Sequence, residues 1–420
     1  MYQTSNLPNG LRVATAEMPH MASVSLGIWV GVGGRYEPAP LNGVSHFIEH
    51  MLFKGTKRRD ALEISQSVEG IGGYLNAFTS EENTCFYSKA RHDRFEDLLD
   101  VLMDMFLHSA FDPEEIGKER SVIKDEVKMY MDQPHQYVHE LLDETLWPVQ
   151  PLGRAVTGTP ESLDAIGRAG MLGFLESHYV AENTVVAAAG NLRHETVVEA
   201  VSRHAKRLRR GRKSVCQPAN PGQTGPRLRL LTRDVEQTQV VLGVRTCSRH
   251  DERRYALRLL NTLLGENMSS RLFQTVRERH GMAYSISSSL SFFDDAGVLG
   301  IAAGVETEKT GEALKLILKE MRLMAQKAPT IGELRRAKDY AIGQLELSLE
   351  NTENQMTWVG EQILSYGRIL EAESVKHELA AVKPSDIRAA AVDFFQPERL
   401  NVAAISPLEN ASHLTDLLRF

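Results

Sequence analysis

Apolar positions in this chain recur with a period of two in some stretches and near 3.6 in others, and the order of those stretches repeats. The first half predicts a strand over 24–32, a short helix through His46 and His50, a helix over 59–70 and a strand pair within 74–90. Helices over 94–107 and 113–131 follow, the second opened by Asp112 as N-cap, Pro113 at the first position and acidic residues in the first turn. From 207 to 227 periodicity gives way to charge, proline and glycine. That basic run fits a solvated linker better than a nucleic-acid patch. Beyond it come a strand over 237–244, a helix over 252–264, a second helix, and strands over 283–291 and 298–305. The same order twice implies a duplication. The expected organisation is an N-terminal domain over 1–210, a linker over 211–227 and a homologous domain over 228–420.

Composition narrows this picture. A chain of 420 residues is long for one core and suits two domains of about 200 residues each. Charge is mixed and the net value of −7 gives no electrostatic case for binding nucleic acid. No stretch reaches membrane-spanning length, so no membrane insertion is expected. The N-terminus has neither a basic start nor an apolar run, which leads us to expect a cytoplasmic protein. Cys85, Cys216 and Cys247 lack paired spacing and read as ordinary thiols in a reducing compartment.

The chemistry concentrates at His46-Phe47-Ile48-Glu49-His50. On a helix, residues three and four apart are neighbours, so both imidazoles can converge on one cation while Glu49 reaches a water beside it. The order is the reverse of the commoner His-Glu-x-x-His zinc protease motif. The plainer reading is an amphipathic helix with histidines in register. Imidazoles buried beside Phe47, Ile48, Met51 and Leu52 would still need polar partners, and a metal supplies one. A hydrolytic zinc site needs a third protein ligand. Glu119 and Glu126 stand two turns apart on the helix over 113–131 and share a stripe, although such a stripe is ordinarily a solvated face. His135 and His139 form a rival pair four apart, with no acidic residue between them to act as a base.

These residues together resemble the pitrilysin and insulinase family of zinc peptidases (M16), and within it the branch of the mitochondrial processing peptidase β subunit and its bacterial relatives. The resemblance rests on Gly43 to Thr56 (GVSHFIEHMLFKGT), on Glu126 placed 76 residues after His50, on Gly72 to Thr79 (GGYLNAFT), and on Pro151 to Arg154 with Gly158 to Pro160. It implies an α+β fold of two duplicated α/β domains, each a mainly antiparallel sheet packed with helices, the LuxS/MPP-like metallohydrolase fold. It implies one Zn2+ per subunit held by His46, His50 and Glu126, with Glu49 as general base and Glu119 as an assisting carboxylate. Asn76 and Ala77 would pair with an extended peptide substrate as an added strand, with Gly72 and Gly73 allowing close backbone approach.

In the second half, Ser270 to Tyr284 (SRLFQTVRERHGMAY) matches the stretch where relatives carry an arginine and a tyrosine seven apart. By that match Arg277 contacts the substrate backbone and Tyr284 binds substrate and stabilises the oxyanion. Without it, Arg277 is a surface charge and Tyr284 opens a strand; Arg271 is the competing arginine. Relatives of this length pair up, so a homodimer is expected, with a heterodimer with a related subunit as the alternative. The expected activity is zinc-dependent endopeptidase cleavage of unfolded peptides or presequence-like segments inside a chamber. The alternatives are a non-catalytic partner or structural subunit, and a maturation peptidase dedicated to one precursor.

Overall fold

The computed structural model describes residues 2–418. Contacts divide the chain into two compact units. The first comprises Met1–Lys128, Arg154–Gln217 and Glu346–Leu370, and the second Met129–Gly153, Pro218–Leu345 and Glu371–Phe420. The changeover at Gln217 and Pro218 falls inside the linker expected at 211–227, but the linear division into 1–210 and 228–420 differs from the spatial one by two exchanged segments. The reason is that a sheet has two faces, and in each unit one face is covered by a helix from the other half of the sequence.

In the first unit the strands are β1 (Tyr2–Asn6), β2 (Arg12–Glu17), β3 (Ser23–Val30), β4 (Tyr74–Thr79), β5 (Thr84–Arg91) and β6 (Thr184–Gly190), in the sheet order β1-β2-β6-β3-β5-β4. Only β2 and β6 run parallel. Helices α1 (Val44–Leu52), α2 (Ala61–Glu69), α3 (Phe95–His108) and α4 (Pro113–Met131) follow the expected order. On α1 the side chains of Phe47, Ile48, Met51 and Leu52 are fully buried, which holds the helix by its apolar face. Helix Thr352–Tyr366 closes the other side of the sheet, setting Met356, Val359, Ile363 and Leu364 on Trp29, Cys85, Val185, Ala187 and Ala189. Small residues permit that approach: a Cβ at Gly360 would lie 2.4 Å from Trp29 Nε1.

The second unit repeats the ladder. Strands β7 (Arg227–Thr232), β8 (Thr238–Thr246), β9 (Ala283–Phe292), β10 (Gly297–Val305) and β11 (Leu400–Ser406) lie in the order β7-β11-β8-β10-β9. Again one pair, β7 with β11, is parallel and the rest are antiparallel. Strand for strand this is β2-β6-β3-β5-β4, so the duplication is present in the pairing as well as in element order. Helix α5 (Pro134–Leu146) packs Val138, Leu141 and Leu142 on one face, against Val241, Ala403 and Ile405. The helix expected over 252–264 is α-helical from Arg254 to Asn261 and then widens to π-type turns through Glu266. Among the described residues no helix is long and apolar enough to cross a membrane.

Candidate metal centre

The site begins with how α1 is held. Its first turn leaves N–H groups without helical partners, and Gly43 offers no side chain to cap them. Glu37 does so from six residues upstream: Gly43 N–H donates to its Oε2 at 2.7 Å and Ser45 N–H to its Oε1 at 2.8 Å. Asn42 Nδ2 adds a third bond at 3.1 Å. Burial pushes the Glu37 carboxyl above its ordinary value, while these donors favour the ion. Gly43 itself takes φ +92, and a Cβ there would sit 2.8 Å from Thr157 O. Arg154 Nη2 donates to Glu37 O at 2.7 Å and Ser162 Oγ to Asn42 O at 2.7 Å. The loop from Arg154 to Ser162 therefore seats the start of α1, which accounts for two of the short stretches noticed in the sequence.

Held this way, α1 turns His46 and His50 toward Glu126 on α4. His46 Nε2 lies 3.8 Å and His50 Nε2 3.5 Å from Glu126 Oε2. Tetrahedral ligation with bonds of about 2.0–2.1 Å places neighbouring donors about 3.3 Å apart, so these spacings are near those of a zinc-sized site. Among the described residues the same three side chains form the group of His, Cys, Asp or Glu able to hold one metal ion. Two nitrogens and one carboxylate oxygen are also the donor set zinc favours. His46 Nδ1 is buried with no hydrogen-bond partner among the described residues. Burial, then the neighbouring His50 charge, drive the His46 ring down to about 4 against the pull of Glu126, so it is neutral at pH 7 as a metal ligand must be. For His50 burial acts in the same direction but is outweighed by Glu126 and Glu119, which raise it.

Behind the candidate ligands, His50 Nδ1 and Glu119 Oε2 are 3.0 Å apart, and Lys54 Nζ meets Glu119 Oε1 at 2.7 Å. That chain fixes the ring orientation and leaves Nε2 toward Glu126. Glu49 points elsewhere, accepting a bond from Thr79 Oγ1 at 2.5 Å. Burial raises its carboxyl above the ordinary value, with the Thr79 bond opposing.

Asn76 and Ala77 lie on β4, the edge strand of the sheet. The Asn76 Oδ1 accepts from Ala77 N–H at 2.8 Å, so the side chain covers a backbone donor of that edge. The glycines before β4 act differently from the expectation. Gly72 takes φ +74, and a Cβ on Gly73 would lie 2.8 Å from Lys89 O. The close approach is to β5, and the pair serves the turn into the strand. Arg277 and Tyr284 belong to the second unit, where the Arg277 guanidinium lies 5.5 Å from the Tyr284 ring centre and 4.8 Å from that of Phe273. Tyr284 is 76% exposed at the start of the edge strand β9. Arg271 is engaged with Glu333 at 3.1 Å. His135 and His139, on α5, gather no third metal-binding side chain among the described residues.

Sequence reasoning missed Glu37, Lys54, Thr79 and Arg154. Arg154, Lys54 and Thr79 stand in matching stretches without a role of their own there, and Lys54 carries one further readable signal, its place one turn after His50. Glu37 reaches α1 across a short irregular loop and Thr79 reaches Glu49 across 30 positions, and no local period reveals either contact.

Sequence models of two families match the chain: "Insulinase (Peptidase family M16)" over residues 12–160 and "Peptidase M16 inactive domain" over residues 165–340. An uncharacterized zinc protease of Streptomyces coelicolor is 37% identical over 98% of this chain and 91% of its own length. The chain belongs to peptidase family M16. The zinc protease YmxG of Bacillus subtilis, also uncharacterized, is 36% identical over 96% of this M16 chain and 97% of its own. Two solved structures share the fold. A protease from Helicobacter pylori superposes with a TM-score of 0.91 at 22% identity, covering 97% of this chain and 99% of that one. A structure titled as a peptidase M16 inactive domain, from Pseudomonas fluorescens, gives 0.89 at 19% identity, covering 97% and 98%. The α+β class and the duplicated M16 architecture agree with the expectation. The stretch matched by the inactive-domain model has no His-x-x-Glu-His, and all five candidate zinc and carboxylate residues lie in the stretch matched first.

Proposed function

We propose that this M16 chain is a zinc-dependent endopeptidase for unfolded peptides, with Glu49 as general base. The observation that carries it is the convergence of His46, His50 and Glu126 beside a separate carboxylate, with His50 oriented from behind by Glu119. Zinc held by those three side chains would supply Lewis acidity toward a scissile carbonyl and activation of water. Glu49, made more basic by burial, takes the proton of the attacking water on its carboxylate and returns it to the leaving amine. Glu119, with Lys54 balancing its charge, keeps His50 in one tautomer and orientation. The exposed edge of β4 accepts an extended peptide at Asn76 and Ala77 once the Asn76 side chain releases the Ala77 N–H. Backbone pairing selects conformation more than sequence, which favours unfolded segments over folded domains.

By the family resemblance, Arg277 donates to the substrate backbone and Tyr284 to the developing oxyanion. We also propose a homodimer of the M16 type, in which Arg277 and Tyr284 of one subunit serve the zinc site of its partner. Mixing Glu49→Gln with Arg277→Ala subunits then restores activity; no recovery in exchanged dimers removes that element. A chamber and a presequence-like substrate are the finer parts of this reading. A peptide-library profile separates general turnover, with broad cleavage, from maturation of one precursor, with a single dominant motif.

The deciding experiment compares cleavage of a quenched, unstructured peptide by the wild type and by Glu49→Gln at equal zinc content. Activity in the first and near loss in the second is the expected result. Equal activity in both overturns the mechanism, and equal inactivity with zinc bound favours a non-catalytic subunit or a missing partner.

A further inference from the structure

Resting on the peptidase reading above, we infer that Thr79 is the positioning residue for Glu49, so that the strand which receives the peptide also aims the base. Thr79 ends β4, and its Oγ1 donates to Glu49 Oε2 at 2.5 Å. Among the described residues it is the side chain that hydrogen-bonds Glu49, and it comes from a different element. A single hydroxyl thus links the sheet edge to the motif helix.

The placement of that hydroxyl is overdetermined. Side chains alternate along β4, and Phe78 fixes the phase by meeting the Trp29 ring at 5.4 Å and the Tyr87 ring at 6.2 Å on the far face. Thr79 is thereby turned toward α1, and a one-residue slip would turn it away. At the strand end Thr79 pairs with Thr84, and the turn closes through Ser80 N–H to Asn83 O at 2.8 Å. The loop that leads into α1 grips the same turn. Gly34 N–H donates to Ser80 O at 3.1 Å and Arg35 N–H to Glu81 O at 2.8 Å. The Arg35 side chain, 1% exposed, meets Glu82 at 2.7 Å. A Cβ on Gly33 would lie 2.0 Å from Ser80 O, so the loop and the turn touch backbone to backbone. Helix and hairpin are tied by the connection before the helix and again by Thr79 itself.

A half-buried glutamate such as Glu49 has three side-chain torsions to order before it can take a proton in one direction. The Thr79 bond occupies Oε2 and leaves Oε1 for transfer. Ala77, whose N–H is covered by Asn76 in the free edge, is two residues earlier on the same strand. Peptide pairing there acts on the strand that carries Thr79, which connects occupancy of the edge with alignment of the base.

The test uses the full-length zinc-loaded protein with Thr79→Val, which keeps size and β-branching, and Thr79→Ser, which keeps the hydroxyl. Thr79→Val is expected to lower kcat at least about tenfold, a part of what a positioned base contributes. Zinc content, and the peptide Kd measured in the inactive Glu49→Gln background with and without Thr79→Val, should stay within about twofold. Thr79→Ser should recover kcat to within about threefold of wild type, and Thr79→Val should add no loss to Glu49→Gln. Unchanged kcat in Thr79→Val overturns the inference. So does a loss that appears as weaker peptide binding or lower zinc content, or one that Thr79→Ser shares in full. If the wild type cleaves no peptide, alone or with a related subunit supplied, the peptidase reading itself fails and this inference falls with it.

Discussion

In both units a central strand leads into a helix, and a hairpin then returns to the sheet edge: β3, α1 and β4–β5 in the first, β8, helix Arg254–Asn261 and β9–β10 in the second. The scaffold is shared, and the helices use it in opposite ways. Along Arg254–Asn261 the side chains of Leu257, Leu259 and Leu260 are fully buried and join the core. On α1 one face does the same through Phe47, Ile48, Met51 and Leu52, while the other holds His46, Glu49 and His50 in a setting that burial makes unfavourable for charge. The first unit sets Glu119, with Lys54 behind it, against His50 and Thr79 against Glu49; the second needs no such partners for its leucines. Stability and chemistry therefore draw on the same helix positions, and a duplicated fold can divide the two between its copies.

The sharpest way to break this comparison is to alter the polar helix and the apolar helix in turn. Glu49→Gln should lower peptide cleavage about 10²–10⁴-fold with the fold intact, a range set by general-base catalysis. Asn261→Ala in the other helix should leave zinc content unchanged; parallel turnover and zinc assays would show it. Leu257→Ala should cost about 2–5 kcal/mol in the second unit through a buried cavity, read as an earlier transition in chemical denaturation. An equal shift from Glu49→Ala would contradict the division of labour. Glu119→Gln should weaken zinc affinity about 10–100-fold by loosening the hold on His50 Nδ1, measured by competition with a chelator.

The smallest effect is in pH. His178, whose Nδ1 meets Ser214 Oγ at 2.7 Å, has its pKa lowered by burial below the ordinary value near 6.5. Above that value the ring is neutral in folded and unfolded chains alike. As pH falls below it the unfolded chain takes up the proton first, so the first unit loses stability. His178→Gln should flatten that part of a pH–denaturation profile, and an unchanged slope would remove His178 as its source.

The candidate ligands were readable because helical spacing converts sequence distance into direction. His46, Glu49 and His50 had to share a side of any helix they formed, and Glu119 and Glu126 had to share a stripe of theirs. The repeated order of elements likewise announced two similar sheets. Less could be read of what surrounds the site. Glu37 caps α1 across a loop, Thr79 reaches Glu49 from a strand 30 positions later, and Lys54 meets Glu119 across 65 positions. The glycine pair at 72 and 73 was readable as a backbone device, but its partner, β5, was not.

The sequence by itself determined the periods, the linker composition, the residue types of the candidate metal centre and the kinship that names the family. Tertiary structure alone decided which helix covers which sheet, and so placed α5 in the second unit and helix Thr352–Tyr366 in the first. The physical reason is that an apolar stripe specifies that a face will be buried without specifying against what, because the hydrophobic effect has no direction. Hydrogen bonds have direction, yet those that seat Glu37, Glu49 and His50 join positions that only the folded chain brings together.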